Sequence, residues 1–252
     1  MNVTAAKKGR AALSPKVGAP VSASRTSVVA WDLPTRLFKW LLALLVLGAW
    51  ASNKYATAMP FLHVWNGYAI LVLIVFRLLW GVVGGSTARF ANFVAAPAAA
   101  FAYVRGLLAG RRPAYLGHNP LGAWMVLALI AAMAAQAALG LYSADEDRLI
   151  VEGPLAKTVS DGAVDFAAHW HRIGFNLILA LVTLHVAANL AYDLLGRAGL
   201  VRAMITGRKP AAAYRDMPQA TPGSLLRAIA CLAGAAIIVF GAIFALGGNP
   251  FR

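Results

Sequence analysis

Two histidines in the stretch HRIGFNLILALVTLH, His171 and His185, stand 14 residues apart in an otherwise apolar run. At 100° per residue they return to within about 40° of one helix face and lie about 21 Å apart along the axis. One face thus offers two imidazoles, one near each surface of a membrane. Two stacked sites across a bilayer suit transmembrane electron transfer, and neutral imidazole is a common axial ligand of haem iron. Each iron then needs a second ligand from another helix at the same depth. His63 opens a second apolar run at its outer end, level with His171, so this pair is expected to hold an outer haem. Arg77 lies 14 residues after His63, on the same face and at the depth of His185. Its guanidinium either pairs with a propionate of an inner haem or snorkels to the headgroups.

The partner of His185 is expected at the inner end of another helix. Lys39, in RLFKW, is a cation just inside the first apolar run and stands in that place. His118, in GHNPLGAW, is also on the inner side. As a loop residue it suits a surface or propionate contact better than ligation. Asn119 is placed to cap the third helix and Pro120 to start it. His169 is two residues from His171, about 200° round the helix, and reads as interfacial packing or a headgroup contact.

The elements that must position these groups are membrane spans. Of the 252 residues, 60% are hydrophobic and 13% charged, far from the balance of a soluble domain. Apolar runs over 37–53, 62–85, 121–142, 167–195 and 224–247 can each cross a hydrocarbon core, which takes about 20 residues. The expected fold is all-α, an integral membrane bundle of five transmembrane helices with a haem-binding four-helix core. Residues 1–28 carry Lys7, Lys8, Arg10, Lys16 and Arg25 without an apolar core ending in a cleavage site. They predict a disordered basic tail rather than a signal peptide. Residues 29–210 then form the bundle, and 211–252 a linker with the fifth helix.

Charge sets the expected orientation. Seventeen of the 23 Lys and Arg fall in the N-terminal segment, in 86–118 and in 196–227, which share one side if the spans alternate. The positive-inside rule makes that side cytoplasmic, with the N-terminus there. The opposite loop, SADEDRLIVEGPLAKTVSDGAVD, holds Asp145, Glu146, Asp147, Glu152, Asp161 and Asp165, six of the nine acids. Trp40, Trp80 and Trp124 fall at inner ends of spans and Trp50, Trp65 and Trp170 at outer ends, as interfacial belts require. The net charge of +14 therefore reflects topology and anionic lipid, and no basic, aromatic-studded soluble domain exists to bind nucleic acid. Cys231 is single, which excludes a disulfide within the chain, and reads as a small buried hydrophobe. Residues 92–110 suit a short amphipathic helix on the inner surface.

Four stretches, VVAWDLPTRLFKW, HVWNGYAILVLIVFRLLWGVVGGSTARFANFVAAP, YLGHNPLGA and HRIGFNLILALVTLHVAANL, together resemble the bacterial cytochrome b561 and nickel-iron hydrogenase b-type cytochrome subunits over most of residues 28–210. The resemblance implies a bundle with two b haems between the first, second and fourth spans, passing electrons between quinone and a redox partner. By it, His63 and His171 match the outer ligands and His185 one inner ligand. The family pattern RLFHW is RLFKW here, so Lys39 occupies the place of a histidine. Three outcomes are open: a neutral amine binds the inner iron, the inner iron is five-coordinate through His185, or the inner haem is absent. The leading functional expectation is a di-haem carrier between quinone and a periplasmic protein with a basic docking face, such as a c-type cytochrome or a dehydrogenase subunit. The alternatives are a superoxide-oxidising quinone reductase, which the acidic loop disfavours, and a haem-free transporter or anchor.

Overall fold

Asp32 starts the first helix four residues earlier than hydropathy suggests. Its Oδ1 accepts from Thr35 N at 3.0 Å, so the carboxylate caps a helix whose first turn contains Pro34. The structure is a computed structural model describing residues 26–54, 60–144, 152–196 and 198–251. The basic residues of the tail, from Lys7 to Arg25, and Asp145, Glu146 and Asp147 lie outside the described residues. In chain order the elements are β1 (Ser27–Val29), α1 (Leu33–Lys54), α2 (Pro60–Val83), α3 (Phe90–Phe93), α4 (Pro97–Leu108), α5 (Pro120–Tyr142), α6 (Asp161–Gly196), α7 (Leu200–Thr206), β2 (Arg208–Pro210) and α8 (Leu225–Ala245). Among the described residues, α1, α2, α5, α6 and α8 are long and apolar enough to cross a membrane. The molecule is an all-α membrane bundle.

The five spans fall where the apolar runs place them, with differences at the ends that polar residues explain. Helix α6 begins at Asp161 rather than 167, because its first turns carry Asp161 and Asp165 and so escape a hydropathy window. Its 36 residues make it about 54 Å long, well beyond a hydrocarbon core of about 30 Å. No proline interrupts it. Helix α5 starts as its sequence dictates: Asn119 Oδ1 accepts from Gly122 N at 2.7 Å, and Pro120 follows as the first helical residue. The amphipathic segment is split in two, since Ala96 precedes Pro97 and is driven out of the helical region, with ψ at 150°. Helix α4 buries Tyr103 and turns Phe101 and Leu108 outward.

Helices α1, α2, α5 and α6 enclose a core in which Phe38 and Leu42 meet Ile74 and Phe76, Leu129 and Met133, and Ile178. Helix α8 packs chiefly on α2 through Ala228, Ala235, Val239 and Ile243. The outward faces carry Leu44, Leu47, Leu184 and Ile237, all exposed, as a lipid-facing surface requires. Trp80 departs from expectation. It is fully buried, stacks on Phe76 at 5.9 Å and donates from Nε1 to Thr35 Oγ1 at 3.1 Å. The indole finds its hydrogen-bond partner inside the protein and so needs no interfacial water.

The basic side of the bundle is closed by a folded cap rather than by loops. Strand β1 pairs antiparallel with β2, with Val28 opposite Lys209. The expected tail boundary at residue 28 therefore cuts through an ordered strand. Under this ribbon Ala30, Trp31, Leu116, Ala203 and Ala220 form a second apolar cluster. Asp216 ties the cap together, accepting from Leu116 N at 2.7 Å and Gly117 N at 2.8 Å. The backbone is so close at Gly223 that a Cβ there would meet the Trp80 ring at 2.4 Å. Only glycine fits this approach.

Candidate functional site

Near the acidic end, α2 and α6 bring His63 and His171 together, with ring centres 6.0 Å apart and planes at 89°. Both rings are oriented by hydrogen bonds at Nδ1. His171 Nδ1 lies 2.9 Å from the Gln136 carbonyl oxygen, which can only accept, so Nδ1 carries the proton. Gln136 answers by donating from Nε2 to the His171 carbonyl at 2.7 Å, locking α5 to α6. Ser52 Oγ donates to the Ala49 carbonyl at 3.2 Å and accepts from His63 Nδ1 at 3.2 Å. In both imidazoles Nε2 is left as the nitrogen bearing a lone pair.

A cavity lies against these rings, lined among others by Val46, Gly67, Met133, Gly140 and Phe175. The glycines shape it. A Cβ at Gly140 would come within 2.9 Å of the His171 ring, whereas one at Gly67 would meet nothing within 4 Å. Two imidazoles on opposite sides of one metal, each at about 2 Å, have ring centres roughly 6 Å apart. The observed spacing, the tautomers and the open space at Gly67 fit an iron porphyrin between α2 and α6.

Toward the basic end the arrangement is cationic. Arg77 is 3% exposed, lies over the Phe90 ring at 4.6 Å, and leaves Nη1 buried without a hydrogen-bond partner. The His118 ring sits between Trp31, at 5.0 Å, and Phe93, at 4.7 Å, with Nδ1 likewise buried and unpartnered. Burial, followed by the positive charges of Lys39, Arg77, Lys209 and His185, holds the His118 imidazole well below its ordinary pKa. It is neutral at physiological pH. Lys39 places its ammonium 3.6 Å from the centre of the Trp31 ring and 3.3 Å from Met204 Sδ. Asn189 Nδ2 donates to His185 Nε2 at 3.2 Å and to the His185 carbonyl at 2.7 Å. His169 is exposed and packs edge-on against Trp170 at 5.6 Å.

The cap adds a cation that pattern reading passed over. Lys209 is 3% exposed, and its Nζ donates to the Tyr115 carbonyl at 3.0 Å. Burial pulls its pKa from 10.5 to about 8, against the upward pull of Asp216 and Asp193. It sits on a three-residue strand within a polar segment, where nothing in the hydropathy marks it as buried. Gln136 was legible in principle, as the one amide or charged side chain in the apolar run 121–142, whereas Ser52, followed by Asn53 and Lys54, is not marked out by its neighbours.

A membrane bundle with oriented imidazoles between its spans is the architecture of a membrane-bound cytochrome. The chain belongs to the prokaryotic cytochrome b561 family, whose model matches residues 30–207. A curated relative, the probable Ni/Fe-hydrogenase B-type cytochrome subunit of Rhizobium leguminosarum bv. viciae, is 23% identical over 215 residues, covering 73% of this chain and 90% of the relative. The protein is thus a multi-pass membrane cytochrome of the b type, and membership implies haem b.

Proposed function

We propose that this cytochrome holds two b haems and carries electrons between the quinone pool and a redox protein docked on the acidic side. The observation that carries the reading is the His63–His171 pair, with ring centres 6.0 Å apart and both Nδ1 atoms held by the protein. Haem, when bound, supplies a reversible one-electron carrier. His63 and His171 would hold the outer haem, with the Gln136 carbonyl and Ser52 fixing the orientation of the two rings. His185 would hold the inner haem through Nε2, the atom that Asn189 Nδ2 contacts at 3.2 Å. Lys39, in the position where the family pattern has histidine, would supply the second nitrogen for that haem. Arg77, with an unpaired buried Nη1, and His118 face the propionates, and Lys209 adds positive charge beside them.

The basic segments make the capped side cytoplasmic in a bacterial inner membrane. The acidic segment then faces the periplasm. Asp161 and Asp165, both exposed, attract a partner with a basic docking face. Glu152 contributes less, because it is paired with Lys157 at 2.8 Å. The relative's name, a Ni/Fe-hydrogenase cytochrome subunit, points to a hydrogenase-type redox enzyme as the class of partner.

Pyridine haemochrome analysis of the purified chain is expected to give about two haem b per polypeptide. Absence of a Soret band would overturn the whole redox reading, and a ratio of one would remove the inner site. Ser52→Ala is expected to speed loss of one haem to an apoprotein acceptor. Loss of a residue that orients a metal ligand typically lowers affinity about 10–100-fold. Ser52→Thr, which keeps the hydroxyl, restores retention; equal rates for Ser52→Ala and wild type would mean that Ser52 plays no part.

A further inference from the structure

On the basic side, outside the site described above, a hollow of about 470 Å³ opens between the end of α2 and the start of α8. Its wall combines Val83 and Gly84, Arg89 from the turn that follows, Thr221, and Arg227 and Cys231 of α8. The wall is held firmly. Ser86 N donates to the Thr221 carbonyl and Thr221 N to Ser86 Oγ, both at 2.9 Å, and Gly223 N donates to Asp32 Oδ2 at 3.0 Å. Arg89 and Arg227 are both exposed, and among the described residues neither has an acidic partner. The first turn of α8 carries no acid either. Two guanidinium groups thus line one preformed hollow with no counter-charge from the protein.

The surroundings select the counter-charge. The hollow lies at the end of two membrane spans, α2 and α8, which is headgroup depth. On its membrane side the lining continues with Val82, 71% exposed, and with Ala230 and Cys231 one turn further along α8, so an apolar wall continues from the cationic one. A ligand that satisfies both parts has an anionic head and apolar chains. Arginine pairs with phosphate through two parallel N–H···O bonds, and basic pockets between spans on the cytoplasmic side suit anionic lipid heads. We infer that the Arg89–Arg227 hollow holds the phosphate of an anionic phospholipid whose acyl chains lie along Val82 and α8. Helix α8 lies beyond residues 30–207, which the family model covers. The lipid joins this added helix to the family's bundle.

The test is native mass spectrometry of the full-length haem-loaded protein in detergent, with phosphatidylglycerol or phosphatidylethanolamine added at equal concentration. Phosphatidylglycerol is expected to form a retained one-to-one adduct and phosphatidylethanolamine is not. Each of R89Q and R227Q weakens that adduct about fivefold, the effect expected of one basic residue near an anionic headgroup. The pair R105Q/R111Q, basic residues on the same side but outside the hollow, leaves it unchanged. An equal loss in that control would assign the binding to the general positive field and overturn the site. Displacement of the adduct by inorganic phosphate would make free phosphate the ligand and overturn the lipid. Where a glutamine variant fails to keep its visible spectrum, wild-type protein still decides. A photoactivatable phosphatidylglycerol must label the 221–231 segment, and labelling elsewhere alone refutes the proposal.

Discussion

His171→Ala is expected to lower the haem content from about two per chain to about one. The substitution removes one of two imidazoles whose ring centres lie 6.0 Å apart, which on the proposed reading would leave His63 as a single ligand. It also removes the hydrogen bond from His171 Nδ1 to the Gln136 carbonyl, which keeps its partner within the helix, a loss of about 0.5–1.5 kcal/mol. The helix itself tolerates the change, because alanine is the best helix former. Haem loss should therefore be local, with the remaining haem keeping its own spectrum. His63→Ala should give the same result. His169→Ala, two residues away on an exposed position beside Trp170, should keep both haems. Pyridine haemochrome and redox titration of the three variants decide the matter, and two haems in His171→Ala would show that the pair does not share an iron.

Lys39→His is the second decisive substitution. Lys39 meets the Trp31 ring at 3.6 Å and Met204 Sδ at 3.3 Å, and among the described residues no carboxylate forms an ion pair with it. A cation–π contact is worth about 0.5–2 kcal/mol. Binding iron takes Lys39 as the neutral amine, so the metal–nitrogen bond must outweigh this contact together with the loss of the proton. Wild type should then show one bis-histidine signature and one histidine/amine signature in the near-infrared ligand-field bands. In Lys39→His both become bis-histidine. Acidification should remove the amine signature first, since protonation takes the lone pair. A wild-type protein whose second haem is five-coordinate at neutral and alkaline pH alike would show that Lys39 is not a ligand, leaving it as a cation beside Trp31.

The five spans were legible because transfer into lipid depends on composition over about 20 residues, and a window of that length reads it directly. The grouping of His63 with His171 was legible for a related reason: helical periodicity and equal depth together place two side chains opposite each other. The cap was not. Strands β1 and β2 are three residues each and exist only because residues 27–29 and 208–210 meet in space, a contact between segments about 180 positions apart. The burial of Trp80 and Lys209 has the same origin, since each is decided by a distant partner, Thr35 in one case and Tyr115 in the other. The tautomers at the outer site were likewise hidden, because the Gln136 acceptor is a backbone carbonyl, which every residue has.

The unbroken length of α6 bears on how traffic through the protein is controlled. His171 and His185 ride on one continuous helix, so any tilt or slide of α6 carries both imidazoles together. Their separation behaves as a ruler, since changing it would mean stretching the hydrogen-bonded ladder between them. If the proposed function holds, a partner pressing on the acidic end would do little to the spacing of two haems held by these imidazoles. It would act instead on the proposed ligands across from α6, His63 on α2 and Lys39 on α1, and so on the energy levels at either end of a fixed gap. Such a molecule would be throttled by potential rather than by distance.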